Sequence, residues 1–357
     1  MCDMRFYIGR QPEALREAIA RRAETCLPFA EQWCASGADR LYLVGSGTSG
    51  NAARAAAPFL QRVLDAEVTP VSPTSLPALL KGKPFFLFIS QGGQSTNTIR
   101  AIERMAAWPR LALTGETVCR INELCPHVVL TCGHEEAGPK TMGYTSTILT
   151  LYLMALEAAK KAGRLCPEAE ADILKALEDM IDRLPENIAL AWRWFEETRD
   201  RLAAAQSWTV TGTGVGQEIA REAALKLMET ILRPAAGFEF EEYLHGPASM
   251  LNAGVGGLYL LPAQASPDRR RMEAVFEIHK SFGSPAAAVC AGEKAGLADG
   301  CLTMAVGEED YLRPFWQILP SQVMGAALPA CMALEDKGGQ IFRAIDEAVG
   351  VKCKTGN

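Results

Sequence analysis

Short runs of consecutive apolar residues alternate along this chain with longer stretches whose apolar positions recur at helical spacing. Runs at 41–44, 66–71, 85–89, 110–114 and 128–131 predict strands, and the stretches at 51–64 and 96–107 predict helices between them. Strands that are apolar on both faces and joined through helices imply an α/β fold with a doubly wound parallel sheet. Ahead of it, 13–26 and 29–34 read as leading helices, and behind it 167–203 reads as two connecting helices. A second cycle follows, with a strand at 207–211, a glycine loop at 212–216, a helix at 217–232, further strands at 257–261, 286–291 and 301–306, and a terminal helix at 320–335. The pattern predicts leading helices (1–40), a first domain (41–165), connecting helices (166–204), a second domain (205–335) and a short polar C-terminal tail (336–357). The succession strand, glycine and hydroxyl loop, helix thus occurs twice, as a weak internal duplication.

The length of 357 residues fits two such domains. A net charge of −6 argues against a nucleic-acid surface, which needs a basic stripe. The 11 cysteines are scattered and form no CxxC pair, and no secretory signal opens the sequence, so reduced thiols in a cytoplasmic protein are expected. The longest apolar helix, 146–159, is too short to cross a bilayer and reads as a buried helix, so no membrane partner is expected.

Two of the predicted strands empty into similar loops. Residues 41–50 (LYLVGSGTSG) and 85–98 (FFLFISQGGQSTNT) place small hydroxyls and backbone N–H groups at helix N-termini, where an anion is attracted. Ser46, Thr48 and Ser49 would also serve simply as helix caps. The first loop lacks the glycine spacing of a dinucleotide site, although Asp65 and Glu67 at the following strand keep that alternative open. The second loop, with Ser90, Gln91, Ser95, Thr96 and Thr98, repeats the chemistry at another strand end, and in an open parallel sheet such ends face one crevice.

The pair GSGTSGNA and ISQGGQSTNT resembles the sugar isomerase (SIS) domain, known from the isomerase half of glucosamine-6-phosphate synthase, and the stretch 222–247 (EAALKLMETILRPAAGFEFEEYLHGP) is similar to that enzyme's helix and histidine loop. The resemblance implies two SIS domains in tandem, with substrate phosphate bound by Ser49, Ser90, Gln91 and Ser95 and weaker contacts from Thr48, Gly92, Lys140 and Lys354. Gly92 departs from the family's serine, keeping a backbone N–H but no hydroxyl, and Lys140 stands where the synthase has a serine.

By the same resemblance, Glu229 moves a proton between carbons 1 and 2 of the sugar, with Lys226 one turn before it. Residues three apart share a helix face, and a partly desolvated carboxylate there has its pKa raised toward neutrality. A plain surface ion pair is the alternative for Lys226 and Glu229. His245 is assigned to ring opening, a task suited to imidazole, against the alternative of a surface or capping residue. Its loop enters the neighbouring subunit's site in the resembling enzymes, which implies a homodimer with shared active sites, or a dimer of dimers.

His127, His134 and His279 receive no role, and the histidines show no metal-ligand spacing, so no metal is expected. The acidic string Glu239, Glu241 and Glu242 is a solvated face or attracts an amino sugar's cation. Lys352 and Lys354 resemble the synthase's C-terminal lysine, against the alternative of a frayed terminus. Cys2 resembles an amidotransferase nucleophile, but the amidase domain that such chemistry needs is absent from the sequence, so no glutaminase activity is expected.

The resemblance therefore implies an enzyme acting on a phosphorylated amino-substituted hexose, similar to fructosamine-6-phosphate deglycases and amino-sugar-phosphate deaminases or isomerases, with no redox cofactor. An aldose-ketose isomerase of a nitrogen-free sugar phosphate and a non-catalytic phosphosugar sensor remain the alternatives.

Overall fold

A computed structural model describes residues 3–334 and 337–353. The chain forms two compact units, Glu13–Lys175 with Gly339–Asn357, and Met1–Pro12 with Ala176–Gly338.

In the first unit, strands β1 (Arg40–Gly45), β2 (Glu67–Val71), β3 (Pro84–Ser90), β4 (Arg110–Thr114) and β5 (His127–Val129) form one parallel sheet in the order β2-β1-β3-β4-β5. Alternate residues of β3 serve opposite faces. Phe86 and Phe88 pack with Tyr42, Val44, Ile99 and Ile102 on one side. Phe85 meets Phe29 and Trp33 on the other, at centroid distances of 5.7 and 5.9 Å. The helix Arg22–Ser36, expected to lead the domain, is therefore one of its covering layers. Burial on both faces explains the unbroken apolar run of β3, and each phenylalanine so buried contributes about 1.5–3 kcal/mol.

The other unit holds β6 (Ser207–Gly212), β7 (Ala235–Glu239), β8 (Val255–Leu260), β9 (Ala286–Gly292), β10 (Gly296–Ala298) and β11 (Cys301–Ala305) in the order β10-β11-β9-β8-β6-β7. Its five parallel strands repeat the connectivity of the first sheet, and the duplication seen in the sequence is a repeat of topology. β10 is an addition that makes this sheet mixed. It pairs antiparallel with β11 through a turn at Asp299 and Gly300, whose φ values of 49° and 80° suit a tight hairpin. β7 escapes sequence detection because alanine and glycine are poor strand formers. Gly237 is required there, since a Cβ would lie 2.5 Å from the Ala220 carbonyl on the neighbouring helix.

Three further segments differ from expectation. The stretch read as two connecting helices is one helix, Pro167–Ala204, with Pro185 inside it. Pro185 is exposed while Leu177, Ile181, Leu184, Ile188 and Ala191 are buried, so the apolar stripe carries the helix through and the bond lost to proline falls on the solvent side. The expected polar tail contains the helix Lys337–Val349, with Ile341, Phe342, Ile345 and Val349 exposed. The helix Arg269–Ser281 was not expected, its three leading arginines masking the buried Met272, Phe276 and His279. Among the described residues no helix is long and apolar enough to cross a membrane.

Candidate functional site

In the order β2-β1-β3-β4-β5 the connections run outward in opposite directions from β1 and β3, and a crevice opens beyond their carboxyl ends. Gly45 lies opposite Ile89, which brings the two following loops level. Ser46 occupies the N-cap position of helix Gly47–Leu64 but makes no capping side-chain bond; its hydroxyl accepts instead from Asn97 Nδ2 at 2.8 Å. The first loop is thereby tied to helix Thr96–Arg104 of the second. Thr48 and Ser49 sit in the first turn of helix Gly47–Leu64, half-buried.

In the second loop the Ser90 hydroxyl lies 3.2 Å from that of Ser95, and Ser95 is the N-cap residue of helix Thr96–Arg104 without a side-chain capping bond. Gln91 is buried with neither its amide nitrogen nor its carbonyl oxygen partnered. An orphaned buried amide costs about 1–3 kcal/mol, which a ligand bonded to it would offset. Ser49, Ser90, Gln91 and Ser95 thus lie in the segments that follow β1 and β3, at the carboxyl end of the sheet.

The segment that carries Lys140 is organised by Glu135, which is fully buried. Its carboxylate accepts from the Thr141 N–H at 2.7 Å, the Thr141 hydroxyl at 2.8 Å and the Gly143 N–H at 2.8 Å, at the start of helix Met142–Lys161. Burial raises its pKa and these bonds partly counter that. The Lys140 ammonium donates to the carbonyls of Glu135 and Ala137 and lies 3.3 Å from His134 Nε2. It is a tether of this loop as well as a charge near Gly92.

The C-terminal residues reach the same loop. The Thr96 N–H donates to Val351 O at 3.1 Å, the Thr96 hydroxyl to Gly350 O at 2.7 Å, and the Cys353 N–H to Gln94 O at 2.8 Å. Lys352 bridges to Ser95 through the backbone, and its ammonium lies over Phe342. Lys354 and Cys2 lie outside the described residues.

In the other unit, helix Val215–Ile231 presents Glu222, Lys226 and Glu229 on one face. Lys226 is no surface partner: its side chain is 1% exposed, 3.4 Å from the equally buried Glu222 and 2.6 Å from Glu229. Burial lowers the ammonium's pKa, but the charges of Glu222 and Glu229 and its bonds to them outweigh that and raise it. Enclosed in this way, Lys226 positions Glu229. The Glu229 side chain is 38% exposed, more open than the desolvated base expected. Glu222 is a site residue that the sequence reading misses, although its i, i+4 spacing to Lys226 is a signal that could find it.

His245 is exposed at the C-cap of the short helix Phe240–Leu244 and is followed by Gly246. Of the acidic string, Glu239 caps that helix by accepting from the Glu242 N–H at 3.0 Å, and Glu241 pairs with Arg271. Neither is an idle attractor of cations.

The second sheet has its own crevice beyond β6 and β8, and Arg313 fills it. This guanidinium, 3% exposed, donates to Leu260 O at 3.3 Å, Thr213 O at 3.4 Å and Gln317 Oε1 at 3.1 Å, and pairs with Asp310 at 3.0 Å. Burial lowers its pKa despite Asp310. The duplicated topology therefore offers one hydroxyl-lined crevice and one closed by an arginine. No group of three or more metal-ligating side chains occurs among the described residues.

This arrangement of loops and sheets has counterparts. A glutamine--fructose-6-phosphate aminotransferase (isomerizing) of Thermococcus kodakarensis is 26% identical over 330 residues, covering 89% of this chain and 53% of that enzyme. The C-terminal domain of a glucosamine-fructose-6-phosphate aminotransferase from Francisella tularensis superposes with a TM-score of 0.80 at 16% identity, covering 93% of this chain and 96% of that one. The fold is an SIS-like pair of α/β domains, similar to the isomerase half of glucosamine-6-phosphate synthase. A Clostridium difficile protein described as a phosphosugar isomerase matches with a TM-score of 0.85 at 24% identity, over 94% of this chain and 95% of that one. The chain spans about half the length of the aminotransferase it matches. No family model matches it.

Proposed function

We propose that the protein is an enzyme that binds a hexose 6-phosphate carrying nitrogen at carbon 1 or 2 and moves a proton between those carbons. The observation that carries this reading is the crevice beyond β1 and β3, where two hydroxyl turns are joined through Ser46 and Asn97 and the Gln91 amide is left without a partner. A phosphate dianion satisfies such a set, with Ser49, Ser90, Gln91 and Ser95 as donors alongside the N–H groups of two helix N-termini.

Glu229 takes and returns the proton, Lys226 holds that carboxylate in place, and His245 assists ring opening. Return of the proton to the neighbouring carbon turns the enaminol into an imine, and water then adds to its carbon and releases the amine, leaving a sugar carbonyl; this is a deglycase or deaminase outcome. The functional form is a homodimer with shared active sites, in the cytoplasm.

Incubation with fructoselysine 6-phosphate and with glucosamine 6-phosphate, followed by assay of released amine and ammonia, tests the reading. Turnover of either is expected, and Glu229→Gln is expected to lower it by about 10² to 10⁴ while binding persists. Interconversion of a nitrogen-free aldose and ketose phosphate alone would mark a simple isomerase. Binding with no turnover in parent or variant would mark a sensor.

A further inference from the structure

Gly92 is a glycine that neither backbone conformation nor packing demands. Its φ lies outside the left-handed region, and a Cβ built on it would meet a single atom within 4 Å, His134 Nε2 at 3.7 Å. The turn therefore leaves room for a side-chain carbon, and an imidazole nitrogen faces that space.

His134 is held from behind. Its Nδ1 lies 2.9 Å from Glu116 Oε1, just beyond the end of β4, so Nδ1 carries a proton toward the carboxylate and Nε2 is turned to the gap. Lys140, anchored on the carbonyls of Glu135 and Ala137, sits 3.3 Å from the same Nε2. The orphaned Gln91 is adjacent: a Cβ on Gly115 would lie 3.0 Å from both Gln91 Cγ and His134 Cα. Four charged groups act on the imidazole, Lys140 and Lys352 against Glu116 and Glu136. Burial first, then Lys140, outweigh Glu116, and the imidazole's pKa lies below its ordinary value. In the unliganded protein His134 is neutral at pH 7.

We infer that His134 is a further substrate-binding residue, meeting a sugar phosphate through Nε2 in the space that Gly92 leaves and standing in for a side-chain hydroxyl. This rests on the proposed binding of a phosphorylated sugar at the β1 and β3 crevice. When the dianion enters, its charge favours the imidazolium; Nε2 gives up the bond it accepts from Lys140, takes a proton from solvent and donates it in a hydrogen bond to a phosphate oxygen, while Glu116 balances the ring's charge and the dianion that of Lys140. Affinity is thereby coupled to proton uptake.

The test is calorimetry of glucosamine 6-phosphate binding at pH 7.5 in two buffers of different ionisation enthalpy. The parent should take up a proton fraction that His134→Gln, which keeps a donor but cannot titrate there, does not. His134→Ala should bind about tenfold or more weakly, as expected for loss of a charge-assisted bond, and Gly92→Ser added to it should recover affinity because a hydroxyl then fills the gap. The chain has only four histidines, so the His134 ring resonance can be followed directly through the same titration. Unchanged affinity in His134→Ala, or equal proton uptake in parent and His134→Gln, overturns the inference and leaves the phosphate site standing. Failure of the parent to bind any hexose 6-phosphate overturns the site itself, and this inference with it.

Discussion

The ammonium of Lys226 lies 2.6 Å from the carboxylate of Glu229, one helical turn on, and its second carboxylate partner, Glu222, is as buried as the lysine itself. Buried pairs of this kind are sensitive to losing one member, since the remaining charge is stranded away from water. Lys226→Met should cost about 3–5 kcal/mol by urea denaturation. Adding Glu222→Gln should recover part of that loss. Equal midpoints for parent and Lys226→Met would show that the ion pair carries no such burden.

Gly143 tests the position of Gln91. A Cβ there would fall 1.8 Å from Gln91 Nε2, the far end of a flexible side chain, whereas alanine in a helix is otherwise favoured over glycine by about 1 kcal/mol. Gly143→Ala should therefore leave the melting temperature within a few degrees of the parent and weaken hexose 6-phosphate binding severalfold. A variant that binds as the parent does would remove Gln91 from the phosphate site.

His279 sets an acid limit on stability. It is fully buried, with Nε2 2.8 Å from Val255 O and Nδ1 3.0 Å from the Tyr259 hydroxyl, and burial lowers its pKa although the Val255 carbonyl opposes this. Below about pH 6.5 the unfolded chain takes up a proton that the folded chain refuses, so stability falls with falling pH by at most about 1.4 kcal/mol per pH unit from this group. Denaturation midpoints measured from pH 7.5 to 5 should show that slope, and His279→Gln should flatten it while lowering stability throughout.

Removal of residues after Val349 should loosen the second loop. The bonds from Gly350, Val351 and Cys353 to residues 94–96 would be lost, while the sheet beneath stays intact. Hydrogen exchange at the Thr96 amide should accelerate without comparable change in β3. Uniform acceleration through β3 would mean that the segment supports the whole unit.

Parts of this architecture were legible because burial on both faces writes itself as an apolar run, as in β3, and because hydroxyl loops follow such runs in a recognisable order. Other signals were present but weak. The Asp299 and Gly300 pair is a hairpin turn in plain view, and the helix that follows Asp268 was hidden by three arginines whose aliphatic stems tolerate a half-buried face.

The amino-acid sequence by itself determined the class of fold and its doubling, since these follow from local periodicity and from the order of apolar runs and polar loops. Tertiary structure alone decided that Lys226 is buried rather than solvated, that His134 faces the space beside Gly92, and that Arg313 closes the crevice of the second sheet. Each of these joins residues on different elements or sets burial through packing. Contacts of that kind depend on how helices lie against sheets, which no local pattern encodes.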